Sequence, residues 1–220
     1  MRRSYALFTV KKDAARREAS DLLLAAARLR HVHAMFAYGV SCATGDGVKK
    51  NQTEAVKWYR RAAAGGHRTA MYNLGWRLLH GTDGKPDSRG AMKWFVKSAE
   101  QGDAEAAEYA GDGYRDGEGV KANAVRARAY YLIAARRGNA AAQTKLGFLL
   151  HEGLGGKRDL ARGARWYRRA AESGDVTGMF NLGLCLRDGD GVKRNAAEAR
   201  KWFACAAKLG HVRARKMLKK

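Results

Sequence analysis

Proline is nearly absent from this chain: Pro86 is the only one among 220 residues. Because proline removes a backbone donor and clashes with the preceding helical turn, its scarcity favours a mostly helical protein. Cysteine is scarce as well, with three residues whose spacings match neither a zinc site nor a disulfide framework. We therefore expect free thiols in a reducing compartment, and neither a metal nor a cofactor.

Long apolar segments are also missing. No run approaches the ~20 residues that a membrane-spanning helix needs, so we expect no transmembrane segment. The apolar stretch from Tyr5 to Val10 is shorter than the core of a secretory signal. We expect a cytoplasmic protein, with a basic organellar presequence as the alternative.

No catalytic constellation is found in the sequence. The patterns of a P-loop, a nucleophile elbow and a zinc-protease helix are all absent. His31 and His33 are too few for a metal site, which normally needs three or four ligands. Three of the six histidines recur at a position held elsewhere by Asp or Asn, which predicts the start of a helix. We therefore predict that the protein is not an enzyme.

Glycine, in contrast, is abundant, with 26 residues that recur at a strict interval. A first series is spaced by 36 residues throughout: Gly39, Gly75, Gly111, Gly147 and Gly183. Six residues later comes a second series: Gly45, Gly81, Gly117, Gly153 and Gly189. A third series closes each unit: Gly66, Gly102, Gly138, Gly174 and Gly210. The chain therefore contains five consecutive copies of one 36-residue unit.

Polar and aromatic residues follow the same period. An Asn or Asp lies twelve residues after the first glycine: Asn51, Asp87, Asn123, Asp159 and Asn195. Aromatic pairs follow: Trp58-Tyr59, Trp94-Phe95, Tyr130-Tyr131, Trp166-Tyr167 and Trp202-Phe203. Pairs of small residues come four positions later: Ala62-Ala63, Ser98-Ala99, Ala134-Ala135, Ala170-Ala171 and Ala206-Ala207. The unit thus has enough fixed positions to predict its structure.

Each series has a physical interpretation. The second glycine predicts the left-handed residue that ends a first helix, and the Asn or Asp predicts the N-cap of a second helix. The first glycine lies inside a helix, where it costs about 1 kcal/mol against alanine, so its recurrence predicts close helix–helix approach. The aromatic and small pairs share one face of the second helix. We therefore place Trp94 and Trp166 in the core, where truncation is expected to cost about 3–5 kcal/mol.

The pattern also extends beyond the five units. Leu22-Leu23 and Ala26-Ala27 match the aromatic and small pairs in phase, which predicts a degenerate second helix that caps the N-terminal end. We predict a basic N-terminal segment over residues 1–17 and a capping half-repeat over 18–30. Five repeats follow, over 31–66, 67–102, 103–138, 139–174 and 175–210, and a basic C-terminal cap covers 211–220.

Two segments carry a resemblance to a known family: YNLGWRLLHG…AMKWFVKSAEQGD and FNLGLCLRDGDGVKRNAAEARKWFACAAKLGH. The chain resembles the Sel-one-like repeat family, a relative of the tetratricopeptide repeats. The resemblance covers roughly residues 18–211. It implies an all-α fold, a right-handed α/α superhelix (solenoid) whose concave face is lined by the first helices. It also implies a scaffold or adaptor role, because family members serve as platforms for protein partners.

The net charge of +22 suggests a polyanionic partner. The predicted first helices hold only five basic residues against eight acidic ones. The positive charge therefore lies on second helices, loops and ends, and its densest cluster is Arg165, Arg168 and Arg169. This outer face is either a solvated surface or a patch for nucleic acid or another polyanion.

Analogy with tetratricopeptide geometry places the residues at −3, +1 and +4 from the in-helix glycine in the concave groove. The predicted partner-binding residues are Phe36, Val40, Tyr72, Trp76, Leu79, Glu108, Asp112, Phe148, Phe180 and Leu184. Trp76 is the one tryptophan outside the aromatic pairs, so we expect it to be the anchor. The expected partner is a protein segment that is apolar at its ends and basic opposite Glu108 and Asp112. Alternatively, these side chains only fill the seam between neighbouring first helices.

Overall fold

The computed structural model describes residues 2–82 and 84–219, with side chains described from residue 12 onward. Over this part of the chain, the regular elements are twelve helices. They are α1 (Arg2–Arg28), α2 (Val32–Thr44), α3 (Gln52–Ala64), α4 (Arg68–His80), α5 (Ser88–Glu100), α6 (Ala104–Asp116), α7 (Ala124–Arg136), α8 (Ala140–Glu152), α9 (Leu160–Glu172), α10 (Val176–Asp188), α11 (Ala196–Lys208) and α12 (Val212–Met217). Helices α2 to α11 form five pairs that recur every 36 residues. The predicted all-α repeat fold is confirmed.

The chain forms two compact units, unit 1 (Met1–Gln101) and unit 2 (Gly102–Lys220). In unit 1, α1 packs on α2, α2 on α3, α3 on α4 and α4 on α5. In unit 2, each helix from α6 to α12 packs on the next, and α8 also touches α10. Helix α1 is continuous across the predicted boundary between residues 17 and 18, while Met1 and Lys220 lie outside the described residues. The division of the two chain ends stays a prediction.

Polar side chains cap the helices at both predicted positions. Asn51 Oδ1 accepts the Glu54 N–H at 3.0 Å, and His67 Nδ1 accepts the Ala70 N–H at 3.2 Å. The N-caps of the second helices are Asn51, Asp87, Asn123, Asp159 and Asn195. Those of the first helices and α12 are His31, His67, Asp103, Asn139, Asp175 and His211. Each satisfies a backbone donor that the helix itself leaves free.

One glycine of each repeat ends the first helix, and another lets the second helix pack closely against it, as the repeat predicts. The glycine after each first helix has a φ between 61° and 84°, which other residues adopt only with strain. The in-helix glycine lets an aromatic ring approach. A Cβ added to Gly147 would lie 2.7 Å from Tyr167 Cε1, and the equivalent separation is 2.5–2.9 Å in all five repeats. The predicted close approach of the paired helices is confirmed.

The two residues of each aromatic pair have different surroundings. The second residue of each pair is the ring beside the glycine and is at most 4% exposed. Trp94 and Trp166, the first residues of their pairs, are half-buried, so they lie at the edge of the core and not inside it as predicted, whereas the equivalent Trp58 is 5% exposed.

Adjacent residues on a helix lie about 100° apart, so the first ring of a pair points away from the glycine. Two of these rings contact other aromatic residues of the first helix, Trp58 on Tyr38 and Tyr130 on Tyr114. A cation lies over the Trp166 ring, where Arg169 is 4.8 Å from the centroid.

Candidate functional site

In four of the five repeats, the residue three positions before the in-helix glycine, here the latch residue, contacts the N-cap of the next first helix within the same unit. In unit 1 the ring of Phe36 stacks on His67, with 4.4 Å between centroids. In unit 2 Phe180 stacks on His211 at the same distance. Phe180 is only 4% exposed and packs in the core, so it offers no surface to a partner. This corrects its placement in a groove.

The other latches of unit 2 are hydrogen bonds. Asn139 Nδ2 donates to Glu108 Oε2 at 2.8 Å, and Thr144 Oγ1 donates to Asp175 Oδ1 at 2.7 Å. Each latch residue therefore interacts with its cap in a way that suits both groups. The phenylalanine rings stack on imidazoles, the Glu108 carboxylate accepts a hydrogen bond from an amide, and the Thr144 hydroxyl donates one to a carboxylate. These side chains join successive repeats within a unit.

Glu108 and Asp112 form an internal ionic network. Lys145 Nζ lies 2.7 Å from both Glu108 Oε1 and Asp112 Oδ2, and the Tyr131 hydroxyl donates to Asp112 at 2.6 Å. Burial lowers the pKa of Lys145, but hydrogen bonds to the two carboxylates outweigh burial and raise it overall. Because the two carboxylates already hold a cation, the expected basic segment of a partner has little to gain there.

The residues after the in-helix glycine are the open ones. Trp76 is 37% exposed and Phe148 is 46% exposed, while Val40 and Leu184 are half-buried. Leu79, one turn further along α4, is half-buried as well. Of the predicted groove residues, these present apolar surface to solvent.

Trp76 is held in place by its own helix. Its ring stacks on His80, with 4.2 Å between centroids, and His80 Nδ1 donates to the Trp76 carbonyl at 2.8 Å. The adjacent residue, Arg77, donates to Gln52 Oε1 at 2.6 Å and lies over the Tyr59 ring. The indole is therefore exposed in a fixed position. Tyr72 is half-buried, with its ring 6.2 Å from that of Phe95.

The predicted polyanion patch separates into paired and open arginines. Arg168 donates to Glu198 Oε1 on α11 at 2.8 Å, so its charge is matched. Arg165 is exposed, and no carboxylate among the described residues pairs with it or with Arg169. Lys145 and Arg136 were counted among the charged residues of the sequence but were not predicted as members of a site; a lone lysine among the first helices was the signal for the former. The position of Arg136 beside α9 needed the structure.

Five consecutive repeats of this chain match the Sel1 repeat model, over residues 32–67, 68–103, 104–139, 140–175 and 176–211. The chain belongs to the Sel1 repeat family. Its expected resemblance is confirmed by the match, which begins one residue after each predicted repeat start. Sel1 repeat proteins generally act as non-catalytic protein-interaction scaffolds.

Solved structures show the same fold. The Sel1 repeat chain is 35% identical to c5321, a protective antigen of uropathogenic Escherichia coli with an SLR fold, at a TM-score of 0.83. That match covers 90% of this chain and 42% of the antigen, so the chain spans less than half of that relative's length. It is 30% identical to a Sel1 repeat protein from Oxalobacter formigenes, at a TM-score of 0.80, with 93% and 87% of the two chains covered.

A putative Sel1 repeat protein from Klebsiella pneumoniae is 16% identical, with a TM-score of 0.51 over 91% of this chain and 97% of that one, and shows the fold alone. No curated protein matches the chain. Among the described residues, no helix combines the length and the apolar character needed to cross a membrane. Within the same residues, no three metal-binding side chains cluster.

Proposed function

We propose that this Sel1 repeat protein is a non-catalytic scaffold that captures a segment of a partner protein, with Trp76 of unit 1 as the main anchor. The observation that carries the proposal is the fixed and exposed indole of Trp76, which is 37% exposed and stacked on His80. Tryptophan is among the residues that most often dominate the binding energy of an interface. The family's general role as a scaffold supports the same function.

The surroundings of Trp76 favour an apolar partner segment. Helix α2 carries no Asp, Glu, Lys or Arg, and its Val40 and Ala43 are half-buried apolar residues at the equivalent register positions. Leu79 adds apolar surface on α4, and the nearby guanidinium of Arg77 is already engaged by Gln52. We propose a helical or extended segment that inserts an apolar side chain against the indole. In unit 2, Phe148 is the equivalent exposed residue.

The three cysteines support a reducing, cytoplasmic setting as part of this proposal. Cys42 and Cys185 are buried free thiols, and Cys205 is exposed and unpaired. Burial raises the pKa of the Cys185 thiol to about 11, so it stays protonated and unreactive at neutral pH.

A peptide-selection experiment tests the proposal. Peptides selected on the wild-type protein from a displayed random library are measured by calorimetry against Trp76→Ala and against Leu22→Ala. Leu22 is a matched control, because it is an apolar residue of unit 1 that is 67% exposed on α1. We expect Trp76→Ala to weaken binding about 30-fold, or about 2 kcal/mol, and Leu22→Ala to leave it unchanged. Peptides that bind folded Trp76→Ala with wild-type affinity would show that the anchor lies elsewhere.

A further inference from the structure

Unit 2 contains a cavity of about 390 Å³ between α7 and α9. Five arginines line it, together with Leu132, Trp166 and a single acid, Glu172. The arginines are Arg136, Arg162, Arg165, Arg168 and Arg169. The cavity thus brings several positive charges together in one concave place, and a cleft lined by charge of one sign focuses the field.

Most of this charge has no internal partner. Arg168 is paired with Glu198, and Arg162 lies 3.8 Å from Asp159. No carboxylate of the described residues forms an ion pair with Arg136, Arg165 or Arg169. Repulsion among these arginines raises the free energy of the folded state, and a bound anion would reduce that repulsion.

The cations continue beyond this cavity. A neighbouring cavity of about 650 Å³ shares Arg162 and adds Arg128, Lys157 and Arg158. Arg128 Nη1 donates to the Lys157 carbonyl at 3.4 Å, which joins α7 to the loop before α9. Along α9, Arg162, Arg165 and Arg169 stand at i, i+3 and i+7 and form one stripe about 10 Å long. A row of cations of this kind suits a linear polyanion better than a single small anion.

The chemistry of the lining indicates phosphate. All the cations of the first cavity are arginines, whose planar guanidinium binds phosphate or carboxylate oxygens in pairs. The apolar surface is small, because Leu132 and Trp166 are half-buried and Arg169 lies over the indole ring. Protein–protein interfaces have an apolar and aromatic centre, whereas nucleic-acid interfaces are polar and strongly positive.

We propose that this surface, the α7–α9 arginine track, binds the phosphodiester backbone of nucleic acid without reading its sequence. The track comprises Arg128, Arg136, Lys157, Arg158, Arg162, Arg165 and Arg169. It differs from the patch expected from the sequence, because Arg168 is neutralised by Glu198 and Arg136 joins from another helix. The track shares no residue with the proposed Trp76 anchor, so each proposal can fail without the other.

The test is fluorescence anisotropy with labelled random 20-nucleotide RNA and 20-base-pair DNA at salt concentrations from 50 to 200 mM. The variant is Arg136→Ala/Arg165→Ala. The control is Arg115→Ala/Arg187→Ala, which removes the same charge from first helices of unit 2, where Asp116 and Asp188 pair with these arginines. We expect the track variant to lose about tenfold or more in affinity and about 1.4–1.8 in salt slope, and the control to change less than twofold.

Three results would overturn the proposal. The first is an equal loss of affinity in the track variant and the control. The second is no binding by the wild-type protein at 50 mM salt. The third is displacement of the nucleic acid by poly-glutamate of equal charge as readily as by unlabelled RNA, which would assign the track to acidic proteins. Circular dichroism of each variant establishes that any loss of binding occurs in a folded protein.

Discussion

The ring and the glycine that face each other are the most constrained pair of residues in every repeat. Tyr167 is 4% exposed and occupies the space that a side chain at Gly147 would fill. Trp166, its neighbour, is half-buried and covered by Arg169. Two adjacent large aromatic residues therefore have different weights in the free energy of folding.

Truncation separates the two roles. Tyr167→Ala should destabilise the protein by about 3–5 kcal/mol, because it leaves a cavity between α8 and α9. Trp166→Ala should cost only about 1–2 kcal/mol, because much of the indole already meets solvent and a cation. Urea unfolding followed by circular dichroism measures both values. Equal losses for the two variants would contradict the assignment of the inner ring.

Individual helices depend on their caps, and in unit 1 a cap is titratable. His67 caps α4 through Nδ1, with Phe36 stacked on its ring, the His33 ring 4.9 Å away and Arg68 next in sequence. Burial, followed by His33 and Arg68, lowers the pKa of His67 below its ordinary value of 6.5. Protonation would also remove the acceptor that holds the helix N-terminus and place a cation there.

The sign of the pH effect follows from the lowered pKa. The unfolded chain binds a proton at His67 more readily than the fold does, so stability is lost as pH falls from about 6.5 through the folded pKa. His67→Asn restores the amide cap that Asn139 provides in the fourth repeat. The variant should lose less free energy of unfolding between pH 7.5 and pH 5 than the wild type. Urea denaturation at both values checks this, and an unchanged pH dependence would exclude His67 as a source.

The helices were predictable from the sequence because each boundary has its own residue type. The N-caps, the left-handed glycines and the in-helix glycines all stand where the period places them. The partners of charged side chains were not predictable. Lys145 reaches Glu108 across 37 residues, and only the packing of successive repeats shows that the acid pair is occupied. The same limit applies to Phe180, because helix periodicity does not separate a groove from a seam between repeats.

Charge acts on the molecule as a whole. The chain carries +22, and part of its unpaired positive charge lies on the α7–α9 arginine track. A large net charge favours solubility and opposes compactness through self-repulsion. The repulsion is long-ranged at low ionic strength and short-ranged at physiological salt, since the screening length falls from about 30 Å to about 8 Å.

Salt should therefore stabilise the native protein. We expect the melting temperature to rise when sodium chloride is increased from 10 to 150 mM, as measured by differential scanning fluorimetry. The rise should be smaller for Arg136→Ala/Arg165→Ala, which removes two unpaired charges from the track. A melting temperature that falls with salt would mean that the ion pairs, such as those of Lys145, outweigh the net repulsion.

The matched latches have a consequence for how such a chain can be rearranged. A repeat that is copied, deleted or exchanged brings its own N-cap to a latch residue chosen for a different cap. Glu108 placed against an Asp cap would set two carboxylates together, which repel each other. A segment exchanged between positions of this chain should therefore include both a latch residue and the N-cap that follows it. The repeats share one fold, but their order along the chain matters because each latch residue suits the cap that follows it.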